Sequence, residues 1–229
     1  MAVPGGRNGL RDEDDDMAEH AEAFGGASDD EDVPPHLRAL ANAAQTGDVA
    51  ALVAALGTGL IRPILLRSSF FGALLGLYNH DGSIDVPVED GDTLLHLACL
   101  YGHLPCVQLL LERGASLECK DEEGAIPLHD ACAGGFTEMV QYILNFAANK
   151  DGCVVRMLNT VDSEGDTPLH HAARGEHLDV VKLLLEAGAS PKKENTYGQT
   201  PADMADQDTE VRTLLTAKQI EASTHMSDN

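Results

Sequence analysis

The sequence predicts an all-α fold, a solenoid of helix-turn-helix repeats stacked side by side behind a disordered acidic tail. Three observations predict it. A phrase recurs as Gly91-Asp-Thr-Leu-Leu-His96, Gly124-Ala-Ile-Pro-Leu-His129, Gly165-Asp-Thr-Pro-Leu-His170 and a worn Gly198-Gln-Thr-Pro-Ala-Asp203, with its glycines 33, 41 and 33 residues apart. Self-similarity at such a period marks a repeat array, in which each unit buries its apolar face only against its neighbours. After each phrase an Ala-rich and then a Leu- and Val-rich stretch carries helical spacing. The composition, 43% apolar but only 4% aromatic, suits closely stacked helix pairs cored by Leu, Val and Ala. Function is therefore to be sought on a binding surface.

Residues 1–33 hold eleven acids against Arg7 and Arg11, supplying −9 of the net charge of −23. So few apolar residues cannot offset the entropy of ordering the chain, and the stretch reads as a disordered acidic tail. Within it Ser28-Asp-Asp-Glu31 has the form of an acid-directed kinase site, making Ser28 a candidate for phosphorylation; the alternative is a plain solvated tail. From Pro34 the pattern turns helical. Leu37, Leu40, Ala43 and Ala44 share a face, Gly47-Asp48 makes a turn, and residues 50–56 form a second apolar stripe. Aligned on Gly47, Gly102 and Gly135, residues 34–56 are a degenerate N-terminal capping repeat.

Gly47 and Gly102 are 55 residues apart, against 33 for Gly102 and Gly135, and removing 57–78 as an insertion restores the register. Its apolar run, 61–78, is broken by Pro63 and Arg67 and is too short to span a hydrocarbon core about 30 Å thick. It reads as a loop folded back on the first helix pair or a sequence variant such as a retained intron. The alternative is an exposed helix that holds a membrane surface or a hydrophobic client.

Full repeats follow at about 88–120, 121–161 and 162–194. Their first helices are Pro127–Ala133 and Pro168–Arg174, and Pro127, Pro168 and Pro201 suit first helical turns. The 41-residue step leaves room at its end for a further helix-like run, 153–158. A C-terminal capping repeat, 195–220, closes the stack with 209–218, and 221–229 reads as frayed.

The negative charge disfavours nucleic acid and anionic membrane as partners. No apolar leader opens the chain and its five cysteines lack any Cys-x-x-Cys pairing, so the expectation is a reducing compartment, cytoplasmic and/or nuclear, without disulfides. His96, His129 and His170 invite a metal reading. Stacked units stand roughly 10 Å apart, however, whereas metal–nitrogen bonds are about 2 Å long, so neither metal nor cofactor is expected. Cys99 and Cys132 align with Ala44 and Ala173 and read as small core residues. No phosphate loop, nucleophile elbow or zinc helix is present, and no enzyme is expected.

Asp166-Thr-Pro-Leu-His-His-Ala-Ala-Arg-Gly175 and Val180-Val-Lys-Leu-Leu-Leu-Glu-Ala-Gly-Ala189 resemble ankyrin repeats, and the resemblance extends over roughly 36–218. The whole chain is also similar to small plant ankyrin-repeat proteins, which implies a scaffold or adaptor in signalling. Leu94 departs from the pattern at a Pro position, Ile126 at a Thr position, Ala202-Asp203 at Leu-His, and Glu176 at a Gly.

The resemblance implies that a partner is gripped by the hairpin tips and the exposed side of the first helices. The tips are Glu89, Asp90 and Asp92; Asp121, Glu122, Glu123 and Ala125; Asp162, Ser163, Glu164 and Asp166; then Asn195, Thr196, Tyr197 and Gln199. The inner-helix positions are Leu100 and Tyr101, Ala133 and Gly134, Arg174 and Gly175. Nine of the first eleven tip residues are acidic, which favours a protein partner with a basic segment, with Tyr101 as aromatic anchor. The competing view is that turn tips are simply polar and that Asp121 and Asp162 are structural. The expected protein is a monomeric, non-catalytic adaptor; the alternative is a targeting or chaperone-like factor working through 61–78.

Overall fold

A computed structural model describes residues 35–57, 84–88 and 91–227, all within the unit Asp32–Asn229. The acidic tail with Ser28, the apolar run 61–78 and the tip residues Glu89 and Asp90 lie outside the described residues. The described helices are, in chain order, α1 (Pro35–Thr46), α2 (Val49–Gly57), α3 (Leu94–Leu100), α4 (Leu104–Glu112), α5 (Pro127–Ala133), α6 (Thr137–Ala147), α7 (Cys153–Asn159), α8 (Pro168–Arg174), α9 (Leu178–Glu186), α10 (Pro201–Met204) and α11 (Glu210–Ser227). None is long and apolar enough to cross a membrane.

The apolar stripes sort these helices into two stacked rows. An inner row runs α1, α3, α5, α8, α10 and an outer row α2, α4, α6, α9, α11. Leu40, Leu52, Leu95, Leu110, Leu128, Ile143, Leu169, Leu184 and Leu215 are all essentially inaccessible and form one continuous core between the rows. Each such side chain is worth about 1.5–3 kcal/mol in water removed from its surface. α7 occupies the surplus of the 41-residue step, packing against α6 and α8 with Met157 and Leu158 buried.

The C-terminal end departs from expectation. Residues 221–227 continue α11 as helix rather than fraying. No Gly or Pro interrupts them, Lys218 pairs with Glu221 at 2.8 Å, and Gln219 donates to Pro191 O and Thr200 Oγ1, both at 2.9 Å.

Each hairpin is closed by backbone bonds, Asp121 to Ala125 at 3.0 Å, Asp162 to Asp166 at 3.1 Å and Asn195 to Gln199 at 2.9 Å. Successive tips are then joined, Ser163 N–H donating to Glu123 O at 2.7 Å and Thr196 N–H to Glu164 O at 2.9 Å. Gly165 is required at its turn. It has φ +80, and a Cβ there would stand 2.7 Å from Thr196 N, whereas Gly198, at φ +73, faces open space.

The phrase histidines bind the repeats to one another. His96 Nδ1 accepts from Thr93 N–H and hydroxyl at 3.2 and 2.9 Å, and His170 Nδ1 accepts from Thr167 at 3.1 and 2.9 Å. His129 Nδ1 has only the Ile126 N–H, at 3.1 Å, because isoleucine has no hydroxyl. An acceptor at Nδ1 puts the proton on Nε2. That proton is donated into the following hairpin, from His96 to Ala125 O at 3.3 Å, from His129 to Asp166 O at 3.2 Å and from His170 to Gln199 O at 3.2 Å. In the last copy Asp203 Oδ2 takes the Thr200 N–H and hydroxyl, at 2.9 and 2.6 Å. Two further histidines tie turn to turn, His103 to Gln45 O at 2.6 Å and His177 to Ala133 O at 2.9 Å.

All three phrase imidazoles are buried, and burial pulls each below its ordinary pKa, His129 to about 4. A pKa lowered in the folded state makes stability present above the unfolded value, near 6.5, and lost as pH falls towards 4. The stability advantage of wild type over His129→Gln should therefore shrink by about 2–3 kcal/mol between those pH values, read by urea unfolding at each pH. In the same assay Gly165→Ala should cost more than Gly198→Ala. Both carry a left-handed penalty of about 1–2 kcal/mol, but only the former adds a backbone collision; equal costs would refute the steric account.

Candidate partner-binding site

The hairpins and the ends of the inner helices form the surface on which the predicted residues fall. Leu100 and Tyr101, at the end of α3, are 46% and 51% exposed, and Tyr197, at the last tip, is 69% exposed. Glu122, Glu123, Ser163, Glu164, Thr196, Gln199, Ala133, Gly134, Arg174 and Gly175 are exposed as well.

Three tip positions turn inward instead, which corrects their reading as open contact residues. Ala125 is buried, its N–H held by Asp121 Oδ1 at 2.8 Å. Asp166 is wholly buried, between Arg174 and the Asn195 amide, which donates to it at 2.8 Å. Asn195 is itself buried, and its Oδ1 accepts from Tyr197 and Gln199 N–H, both at 3.0 Å. The tight turn accounts for this. The residue after Gly124 and after Gly165 re-enters the stack, whereas Gln199 after Gly198 stays exposed, and the residue three before each of these glycines braces the loop from within. Asp121 and Asp162 accordingly accept the N–H of Ala125 and Asp166.

Charge is distributed unevenly along the tips. In the third full repeat the acids are neutralised from within. Arg174 pairs with Asp166 and reaches Glu164 at 3.6 Å, and His171 Nε2 bonds Asp162 Oδ2 at 2.8 Å. Burial acts to raise the Asp162 pKa, but the His171 bond and the Asp166 N–H outweigh it and hold the carboxyl below its ordinary value.

One repeat earlier the residues at the corresponding positions carry no positive charge. Asp130 stands where His171 does, Ala133 where Arg174 does, and Leu100 holds that place in the first full repeat. Asp92, His96 and Asp121 offer ligand atoms within 4.8 Å of one another, but both His96 nitrogens are engaged in the tether. Asp130 Oδ2 is buried without a hydrogen-bond partner. Burial, followed by the charges of Asp92, Asp121 and Glu123, pushes its carboxyl up to about 8, so it is a neutral acid at pH 7.

Sequence reasoning passed over Asp130. The available signal was its register: Leu128-His-Asp130 against Leu169-His-His171 puts a carboxyl where the neighbouring copy has a base. The cysteines carry no comparable signal. Cys99 and Cys132 are fully buried, and burial, reinforced by Asp130, drives both thiols well above their ordinary range, away from the reactive thiolate.

A family model of ankyrin repeats, in three copies, matches residues 40–156 and 144–225. No curated protein matches the chain, so the narrower likeness to small plant proteins gains no relative from this comparison.

A carboxyl whose pKa is raised on folding contributes stability that is complete below its unfolded value and is lost as pH rises through the folded one, here from 3.8 to about 8. Asp130→Asn should therefore stabilise the protein at pH 7 by about 2–4 kcal/mol and by little near pH 4. Urea unfolding at the two pH values checks this, and a variant no more stable than wild type at pH 7 would remove the buried-acid account.

Proposed function

The chain belongs to the ankyrin-repeat family, and from that premise we propose that it is a non-catalytic adaptor gripping a basic segment of another protein along its hairpin tips and inner helices. Ankyrin repeats serve as protein-binding surfaces, and a stack of short units presents a continuous face rather than a pocket. The observation that carries the basic-partner reading is the contrast between neighbouring tips. Glu164 and Asp166 have Arg174 beside them, whereas among the described residues the charges that raise the Asp130 pKa, from Asp92, Asp121 and Glu123, are negative. Like charges gathered on one face repel in the free protein, and the approach of Lys or Arg relieves that repulsion while steering encounter.

Leu100, Tyr101 and Tyr197 supply exposed apolar and aromatic contact beside the acids, the residue types in which interface energy concentrates. Glu89 and Asp90 belong to the same proposal through their place in the first tip. The setting we propose is signalling or regulation in the cytoplasm or nucleus, in keeping with five unpaired thiols, four of them buried.

The test is affinity capture from an extract of the source cells, comparing the full chain with a variant carrying Glu89→Gln, Asp90→Asn, Glu122→Gln, Glu123→Gln and Glu164→Gln. Expected is a discrete set of basic proteins held by wild type at low salt and reduced at least about tenfold in the variant, since exposed charges act mainly through screened, long-range attraction. An unchanged set with unchanged salt dependence would sink the proposal.

A further inference from the structure

We infer that Ser190, in the loop between α9 and the last hairpin, is a phosphorylation site for a proline-directed protein kinase that also selects a basic residue three positions on. It stands independently of the adaptor reading above. The chain holds three Ser/Thr-Pro pairs, Thr167-Pro168, Ser190-Pro191 and Thr200-Pro201. Proline has a fixed φ and no N–H to satisfy, and kinases of this class select it directly after the acceptor. By that criterion the three pairs are alike, and the structure separates them.

Thr167 is buried, and its hydroxyl donates to His170 Nδ1 at 2.9 Å. Thr200 is partly buried; its hydroxyl donates to Asp203 Oδ2 at 2.6 Å and accepts from Gln219 at 2.9 Å. Both threonines cap helices of the stack, α8 and α10, so neither can be drawn out without opening a repeat. Ser190 is exposed, and among the described residues its hydroxyl makes no hydrogen bond. The backbone around it is as little committed. From Ser190 to Glu194 the chain follows no helix, and its one well-formed hydrogen bond among the described residues is from Gln219 to Pro191 O, at 2.9 Å. Little therefore holds this segment against the extended form in which a kinase takes its acceptor.

The residues that follow supply the remaining determinant. Lys193 stands three positions after Ser190, where His170 and Asp203 stand after the two threonines. Lys192-Lys193 is the only adjacent pair of cations in a chain of net charge −23, and neither lysine is ion-paired among the described residues. Acids in a kinase's substrate groove are met by that pair. In the transfer, Ser190 Oγ bonds the γ-phosphorus of ATP as the bond to the bridging oxygen breaks. ADP leaves, and the hydroxyl proton passes to the catalytic aspartate of the kinase. The product carries a charge of about −1.5 to −2 at pH 7. Ala189 and Pro191, on either side of it, line the groove between α9 and α11, so the phosphate is added at the outer row and leaves the histidine tethers in place.

The experiment incubates the full chain with a purified cyclin-dependent kinase and ATP, and reads the extent and position of modification by intact-mass and peptide mass spectrometry. Wild type should take up phosphate at Ser190, with Thr167 and Thr200 spared, and Ser190→Ala should lose that modification. Pro191→Ala should lower the initial rate by at least about tenfold, since the kinase reads that residue in a fitted pocket. Lys193→Gln should lower it by about three- to fivefold, the worth of one exposed ion pair. Circular dichroism of the three variants should match wild type, which separates a lost recognition contact from a lost fold. Phosphate found on Thr167 or Thr200 overturns the inference, as does undiminished incorporation in Ser190→Ala. A wild type that takes up none while a control peptide substrate is modified overturns it too, with the adaptor reading intact.

Discussion

A buried, neutral imidazole with its single proton on the outward nitrogen is the constraint on which the stack depends. Three things must hold together. The ring must accept from its own helix start, as His96 and His170 do from Thr93 and Thr167. It must be buried deeply enough to stay unprotonated, and it must reach a carbonyl of the next hairpin. Leucine and valine between the helix rows supply most of the cohesion but little directionality. The histidine bonds fix the spacing and rotation of one unit on the next, and so decide which side chains reach the tips together.

That arrangement explains why the acids are not equivalent. Asp121 and Asp162 brace their own turns by accepting backbone N–H groups. Asp166 is spent on Arg174 and Asn195 inside the structure. Glu122 and Glu123 stay exposed, Glu164 is exposed beside Arg174, and Asp130 is set among the acids one repeat earlier. A surface that looks uniformly acidic by composition thus holds one part in which acids are paired with Arg174 and His171 and another in which the corresponding positions carry no cation. The cost of burying the Asp130 carboxyl falls on the stability of the fold.

Much of this was legible in the residues themselves. The phrase and its prolines placed α5 and α8 at their observed bounds, and the surplus in the 41-residue step coincided with α7. Three features were not legible for physical reasons. The persistence of α11 through Ser227 depends on Gln219 finding Pro191 and Thr200, contacts that no local periodicity encodes. The inward turn of Ala125, Asp166 and Asn195 depends on how tightly four residues reverse the chain, and the raised pKa of the Asp130 carboxyl depends on its burial and on charges from two separate hairpins.

The replacement of histidine by Asp203 in the last copy has a further meaning. Its carboxylate satisfies the Thr200 N–H and hydroxyl as an imidazole would, but it has no proton to hand onward. In the vocabulary of polymers, each earlier unit has a reactive end and this one is chain-terminating. Growth of such an array by duplication is therefore directional. A copy inserted ahead of Asp203 finds a carbonyl waiting for its histidine, whereas one appended behind it meets a unit that can offer nothing in return.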